Sequence, residues 1–256
     1  MTAWARDLWI TFRQFLETFG ALQLFFLRLL AYSPKTLVRF RLVSQQIYNT
    51  GTLSLVIIMS CGLFTGMVLG LLGYDSLSRY GSEEFVGTFA ALVLTKELGP
   101  VLTALLFAGR AGTTLSTEIG LMRATDQLSG MEMMAVDPIR RVVVPRFLGG
   151  VLSMPLLAGV FSSMGIFGAY LVGVGLMGVD EGAFWSQMQS NIEWADIREG
   201  IIKSVIFGVA ASLLAVFEGY NAYPTAEGVG RSTTRTVVIT AIVVLVLDFM
   251  VTAAML

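Results

Sequence analysis

Five long apolar stretches constrain this chain more strongly than any other feature of its sequence. An α-helix needs about 20 apolar residues to cross the hydrocarbon core of a bilayer. Hydrophobic residues make up 55% of the 256 residues and charged residues only 14%, a composition unlike that of a soluble domain. The sequence therefore predicts an all-α, polytopic membrane protein. The predicted spans are 51–74, 85–109, 147–179, 201–217 and 236–256.

The second predicted span carries two charges in its middle, Lys96 and Glu97, and a Gly99-Pro100 pair follows them. A charge at bilayer depth costs at least about 2.5–3.5 kcal/mol, so it usually faces a cavity or a partner. Pro100 lacks the N–H that a helix needs, so we expect a break in the helix here, next to protein or a wet cavity. The favoured interpretation is a cavity lining. The alternative is a charged pair that only locks helix packing.

Asp248 is the only charge in the fifth predicted span, and an unpaired carboxylate there would be costly. Lys203, near the start of the fourth span, lies at a comparable depth on a consecutive helix, so we expect it to pair with Asp248. Lys96 is the competing partner. In either case the residue is interpreted as structural.

Residues 1–46 are expected to form an interfacial helix and linker, and residues 47–256 the transmembrane region, within a single domain. Large apolar residues recur at helical spacing from Trp4 to Leu29 with Arg and Glu between them, which is typical of a helix lying in the membrane interface. Ser33-Pro34 should end this helix; packing against other protein is the alternative.

For two of the apolar stretches the sequence allows more than one arrangement. Gly62, Gly66 and Gly70 recur every fourth residue in the first span, so another helix can approach closely, within the subunit or across a dimer. The third span, 147–179, is longer than a bilayer requires. We expect one long span, with a hairpin of two half-spans as the alternative.

Residues 113–137 are polar, helix-forming and rich in Met, directly after the second span. Met surfaces suit grooves on partner proteins. We therefore expect a cytoplasmic coupling helix at about 113–137 that docks on a partner, rather than a helix with its Met face in lipid. Glu118 and Arg123 would bond the partner's surface, and Met131 and Met134 would fill its groove.

Several function classes are excluded by residues that the chain lacks. It has no His, so it has neither a Ser-His-Asp triad nor a His metal site. No lysine lies in a Walker A pattern, so ATP is not bound in that way. A lipid-modifying enzyme is disfavoured because the carboxylates are scattered. An ion-coupled secondary lipid transporter that uses Glu97 and Asp248 stays open as an alternative.

Lys and Arg placement predicts the orientation. The N-terminal region, residues 110–146 and residues 219–235 hold nearly all the Arg. The positive-inside rule then puts the N-terminus in the cytoplasm, and five spans put the C-terminus on the outer side of the membrane.

Two long motifs resemble those of the MlaE permease family. They are KELGPVLTALLFAGRAG, from Lys96 to Gly112, and TEIGLMRATDQLSGMEMMAVDPIRR, from Thr117 to Arg141. The similarity extends through PTAEGVGRSTTRTVV, at 224–238, and covers most of the chain from about Gln45. One departure is Lys96, where relatives can carry Arg, which weakens a bidentate phosphate contact but keeps the charge.

The resemblance implies the membrane subunit of an ABC-type phospholipid transporter in the bacterial inner membrane, which maintains outer-membrane lipid asymmetry. It implies a homodimer, a cytoplasmic ABC ATPase subunit, a STAS-domain protein bound to that ATPase, and a hexameric periplasmic MCE-domain protein. ATP would be bound by the ATPase partner; this subunit would have no catalytic residue, metal, cofactor or nucleic-acid partner of its own.

The resemblance also implies residue roles. The lipid pocket would lie between the two permeases, and residues 113–137 would correspond to the family's coupling helix. The implied lipid-binding residues are Leu69, Leu77, Tyr80, Lys96 and Glu97. The implied coupling residues are Glu118, Met122, Arg123, Met131 and Met134. Neither the direction of transport nor the head-group preference follows from the sequence.

Overall fold

The computed structural model describes residues 2–37 and 40–255, and every regular element within these ranges is helical. The all-α prediction with five candidate membrane-spanning helices is confirmed. The spans are Arg41–Ser78, Glu83–Ala124, Ile139–Gly173, Trp194–Tyr220 and Ala226–Met255. The α-helices are α1 (Thr2–Leu37), α2 (Phe40–Thr50), α3 (Leu55–Ser78), α4 (Val86–Val93), α5 (Gly99–Phe107), α6 (Thr113–Ala124), α7 (Gln127–Met133), α8 (Val144–Gly173), α9 (Glu181–Asn191), α10 (Trp194–Tyr220) and α11 (Ala226–Met255).

Pro100 does not break the second span, so the predicted break is wrong. The helix continues through a π turn at Leu94–Leu98, in which the N–H of Gly99 bonds the carbonyl of Leu94, five residues back. Pro100 could not have donated to the carbonyl of Lys96 in a regular helix. The wider turn lies immediately before the proline and lets the helix continue around the missing donor.

The second span continues well beyond a bilayer. Its 42 residues form one helical run from Glu83 to Ala124. At about 1.5 Å per residue this run is roughly 60 Å long, about twice the hydrocarbon thickness. The predicted single coupling helix at 113–137 is therefore wrong in form: α6 continues the span, and Asp126, in the left-handed region at φ 55°, separates it from α7.

The first and third spans pack tightly along the glycine stripe of α3. A Cβ atom added at Gly62 would lie 2.6 Å from the carbonyl oxygen of Phe161, and one at Gly66 would overlap the backbone of Gly165. Gly70 faces Ala169 in the same way. Successive glycines of α3 therefore meet successive residues of α8 in the same order along the chain, so the two helices run parallel. The stripe is therefore occupied within the subunit.

Other helix bounds differ from the sequence prediction. The third span is one 30-residue helix, α8, so the hairpin alternative is wrong. Between the third and fourth predicted spans lies a helix that was not predicted, α9. Its first turn is capped by Asp180, whose side chain accepts a hydrogen bond from the N–H of Ala183 at 2.8 Å. Helix α11 begins at Ala226, ten residues before the predicted start of the fifth span at 236.

Helix α1 does not end at Ser33-Pro34, as expected, but continues to Leu37. Its later half packs against protein: Phe25 and Leu29 are buried in a second apolar core with Ile119, Val143 and Phe217. We call this buried cluster, together with the half-buried apolar residues packed against it, the α1 core. It joins α1 to α6, α8 and α10. The side chain of Trp4 lies outside the described residues, and the interfacial location of α1 stays a prediction.

Candidate functional site

Six charged side chains from three spans meet where α10 begins and α11 ends. We call them the charge cluster: Lys96, Glu97, Asp196, Glu199, Lys203 and Asp248. The first two lie in the π turn of the second span, the next three on α10 and the last on α11. The cluster has two more carboxylates than ammonium groups, so it is formally acidic.

Lys203 lies at the centre of the cluster, and its side chain is fully buried. Its Nζ lies 2.8 Å from Oε1 of Glu97, 3.4 Å from Oε1 of Glu199 and 4.0 Å from Oδ1 of Asp248. It also donates a hydrogen bond to the hydroxyl of Thr252 at 2.9 Å. A buried ammonium group needs such partners, because removing a charge from water costs several kcal/mol.

Lys96 binds a different part of the cluster. Its Nζ lies 3.0 Å from Oδ1 of Asp196 and 3.1 Å from Oε2 of Glu199. Glu199 therefore bridges the two lysines through its two oxygens. The Lys96 side chain is 34% exposed, whereas that of Lys203 is not exposed at all. Both lysines therefore pair across helices, but only Lys96 is partly accessible from outside the cluster.

A close helix contact brings these groups together. A Cβ atom at Gly200 would overlap the carbonyl of Thr95, in the π turn. The glycine therefore lets α10 approach the turn closely enough for Glu199 and Lys203, on either side of it, to reach Lys96 and Glu97. On α10 the charged residues recur at positions 196, 199 and 203, which share one helix face.

Of the two lysines considered as partners of Asp248, the structure brings Lys203 close to it; Lys96 binds α10 instead. The Lys203–Asp248 distance of 4.0 Å is the longest ion pair in the cluster. Oδ1 of Asp248 is buried without a hydrogen-bond partner among the described residues. The sequence reasoning missed Glu97 as the nearest partner of Lys203, and it missed Asp196 and Glu199 altogether.

The remaining residues of the implied lipid pocket lie on or just after α3. Leu69 is half-buried and packs against the main apolar core, which includes Leu94 of the π turn. Leu77 is half-buried near the end of the helix. Tyr80 lies in the turn that follows and is 84% exposed. Their assignment to a lipid pocket stays a prediction.

The predicted coupling residues divide into bonded and free groups. Glu118 accepts hydrogen bonds from Arg146 at 3.0 and 3.2 Å, and the Arg123 guanidinium donates to the carbonyl of Tyr220. Met122 and Met131 are half-buried against the α1 core. Met134 is 70% exposed. Sequence reasoning therefore did not foresee that both charged residues already have partners within the chain.

By definition the charge cluster contains only ammonium and carboxylate side chains. In the described part of the chain, no group of three or more His, Cys, Asp or Glu side chains is arranged to hold a metal ion. The cluster presents ammonium and carboxylate groups of both signs inside apolar helices, which suits a ligand that itself carries both signs. The side chains of Glu97 and Lys96, 39% and 34% exposed, are its more accessible members.

Five apolar spans with a charge cluster between them define a polytopic membrane protein. The sequence profile of the family described as Permease MlaE matches residues 43–254, so the chain belongs to the MlaE permease family. It is 54% identical, over 87% of its length and 85% of the relative's, to the intermembrane phospholipid transport system permease protein MlaE of Haemophilus influenzae.

More distant relatives are named as permeases too. A probable ABC transporter permease protein of Rickettsia prowazekii is 33% identical over 93% of this chain and 92% of its own length. Another, from Synechocystis, is 33% identical over 80% of this chain and 78% of its own. These names agree with the resemblance seen in the sequence motifs.

Proposed function

We propose that this chain is the permease subunit of an ABC-type transporter that moves glycerophospholipids between the inner membrane and a periplasmic MCE-domain partner. Its transport would maintain the lipid asymmetry of the outer membrane. The observation that carries the proposal is the charge cluster, with accessible groups of both signs on membrane-spanning helices. The name of the Haemophilus relative, a phospholipid transport permease, supports the substrate class.

The lipid head group would lie against Lys96 and Glu97. An ammonium group attracts a phosphate, and a carboxylate attracts the amine of an ethanolamine head group. Leu69, Leu77 and Tyr80 would contact the acyl chains. Lys96 and Glu97 are each paired with a residue of α10, and their side chains nevertheless remain 34% and 39% exposed.

Photo-crosslinking tests this pocket. A photo-reactive amino acid at position 69 or 77 should capture phospholipid in cells with a higher yield than one at position 242, which is 58% exposed on α11. A yield at 69 and 77 that is no higher than at 242 would mean that these positions see only bulk lipid.

In the proposed transport cycle, a partner subunit and not this chain hydrolyses ATP. Two permease copies would each dock a cytoplasmic ABC ATPase through residues 113–137, and a STAS-domain protein would bind the ATPase. The N-terminus would then lie in the cytoplasm and the C-terminus in the periplasm. The relatives named as ABC transporter permeases support an ATPase partner.

Reconstituted transport separates this function from the ion-coupled alternative. The complete complex in proteoliposomes should transfer labelled phospholipid only with hydrolysable ATP, and collapsing the proton and sodium gradients should leave the rate unchanged. Transfer that follows an ion gradient without ATP, and that is lost in Glu97→Gln and Asp248→Asn, would favour the alternative.

Charge reversal at Glu118 tests the docking site, and the ion pair with Arg146 supplies its control. Glu118→Lys should reduce co-purification of the ATPase. Arg146→Gln also breaks the pair but leaves the carboxylate, so it should preserve co-purification. If both variants lose the ATPase equally, Glu118 acts through the internal ion pair and not through a direct contact.

A further inference from the structure

A cleft of about 210 Å³ lies between the second span, α8 and α10, beside the charge cluster. Its walls carry two prolines, Pro100 and Pro155, and several small residues, among them Gly159, Ser163 and Gly200. Small side chains at the meeting of three helices leave space that larger ones would fill. None of the residues assigned to the head group or to its acyl contacts lines this cleft.

The hydroxyl groups in the cleft are already used. Each donates a hydrogen bond to a main-chain carbonyl: Thr95 to Ala91, Ser162 to Leu94, Ser163 to Gly159 and Ser204 to Ile201. A hydroxyl that donates its one proton to a main-chain carbonyl, as three of these do within their own helix and Ser162 does across to the π turn, has none left for a ligand. The cleft therefore offers apolar surface and no free donor from these residues, which does not suit water or a polar head group.

The cleft opens on the outer surface of the helix bundle. Ile197 and Ile201, at its edge on α10, are 37% and 47% exposed. All its lining residues belong to three of the five helical runs that are apolar enough to span a membrane. A cleft that faces the hydrocarbon of a bilayer loses, while it is vacant, contacts that an alkyl chain can supply.

We propose that this cleft binds one acyl chain of a phospholipid from the surrounding bilayer. The site is distinct from the head-group site, because the charged face of α10, at positions 196, 199 and 203, is turned about 100° from positions 197 and 204. The bound chain packs between Pro100 and Pro155, where an irregular second span meets α8. It thereby fills the gap beside the π turn that holds Lys96 and Glu97.

Filling the cleft from inside tests the proposal on the intact transporter complex. Gly159 lines the cleft, and a Cβ atom added there meets no other atom within 4 Å, so the position has room for the start of a larger side chain and Gly159→Leu is designed to fill the cleft. Ser163→Leu fills it from a second position. Gly109→Leu is the matched control, because a Cβ atom at Gly109 also meets nothing within 4 Å and this glycine lies outside the cleft.

The probe is a phosphatidylcholine with a photo-reactive diazirine at the end of one acyl chain, in nanodiscs, with labelled peptides read by mass spectrometry. In the unmodified protein, the peptides that contain 158–166 and 197–204 should be labelled more than the exposed surface of α11. Gly159→Leu and Ser163→Leu should lower that labelling to the level of α11, whereas Gly109→Leu should not change it.

Equal labelling of the cleft and of α11 in the unmodified protein would overturn the proposal, since it would mean ordinary contact with bulk lipid. Unchanged labelling in both filled variants would overturn it as well. The inference does not depend on transport, so the labelling experiment is decisive even if the proposed function fails in the ATP-dependent assay.

Discussion

The charge cluster and the α1 core both join several helices, but they do so in opposite ways. The cluster ties the second span, α10 and α11 through a few ion pairs whose strength depends on distances of 2.8–4.0 Å. The α1 core ties α1, α6, α8 and α10 through many apolar contacts, including an edge-to-face pair of Phe25 and Phe217 with centroids 5.6 Å apart. The stability of the cluster therefore depends on a few individual charged groups, whereas that of the core is distributed over many apolar contacts.

This contrast suggests where the molecule can change and where it must not. An ion-pair network can rearrange when a ligand of the right charge competes for one member. A close-packed apolar core resists small displacements and transmits them. We therefore expect substitutions in the cluster to have large effects that depend on the partner removed, and substitutions in the core to have graded effects.

Loss of Lys203 should have the largest effect on stability. Lys203→Met leaves three carboxylates without their shared cation, and breaking a buried pair costs about 3–5 kcal/mol. The amount of folded permease, measured as the monodisperse fraction after heating in detergent, should fall steeply. Wild-type levels in this variant would mean that the cluster does not tie the helices together.

Double variants sharpen this prediction by ranking the partners of Lys203. Because Glu97 is 2.8 Å away and Asp248 4.0 Å, Lys203→Met with Glu97→Gln should recover more folded protein than Lys203→Met with Asp248→Asn. The reverse order would make Asp248 the principal partner. If Asp248→Asn alone folds normally but blocks transport, Asp248 is functional and its structural assignment is wrong.

Truncation in the α1 core should have the next largest effect. Leu29 is fully buried, and Leu→Ala at such a position costs about 2–5 kcal/mol, depending on how far the cavity closes. Leu29→Ala should lower the midpoint of thermal unfolding, and Leu24→Ala, at a 63% exposed position on the same helix, should not. Equal effects would show that α1 is held by the membrane and not by the core.

Lys96 should matter much less for stability than Lys203, although it has two carboxylates close by, against three for Lys203. Its side chain is partly exposed, and exposed ion pairs contribute about 1 kcal/mol or less. Glu199 also keeps Lys203 as a partner when Lys96 is lost. The Lys96→Met variant should therefore fold normally but lose phospholipid transport. The Lys96→Arg variant should retain both normal folding and transport. Loss of folding in Lys96→Met would remove the distinction between a structural and a ligand-facing lysine.

The sequence predicts the spans and the location of the unusual charges, because hydropathy and an isolated Asp248 are visible without coordinates. It does not predict which charges meet. The Glu97–Lys203 contact depends on the π turn before Pro100 and on the approach that Gly200 permits. Both depend on how two helices pack, and no periodicity in one helix reveals that.

Some missed features did have a local signal. The acidic and basic residues at 196, 199 and 203 share a helix face, which a search for i, i+3 and i+7 charges would have found. The start of α11 is indicated by Thr225, whose hydroxyl accepts a hydrogen bond from the N–H of Gly228 at 3.1 Å, as a capping residue does. By contrast, the continuation of α1 through Pro34 had no such signal.

The smallest effect on stability is expected at the exposed methionines, where docking and folding can be separated within one short segment. Met133 and Met134 are 85% and 70% exposed, so replacing both with Ala should change the free energy of unfolding by no more than about 0.5 kcal/mol. The same replacement removes flexible apolar surface suited to a partner's groove, so co-purification of the ATPase should fall. Met131, half-buried against the α1 core, is the matched control: Met131→Ala should cost stability. If Met133 and Met134 can be replaced without loss of ATPase co-purification, residues 113–137 do not dock through these exposed methionines. The contrast between a buried core that stabilises the fold and an exposed surface that binds a partner would then not apply to this segment.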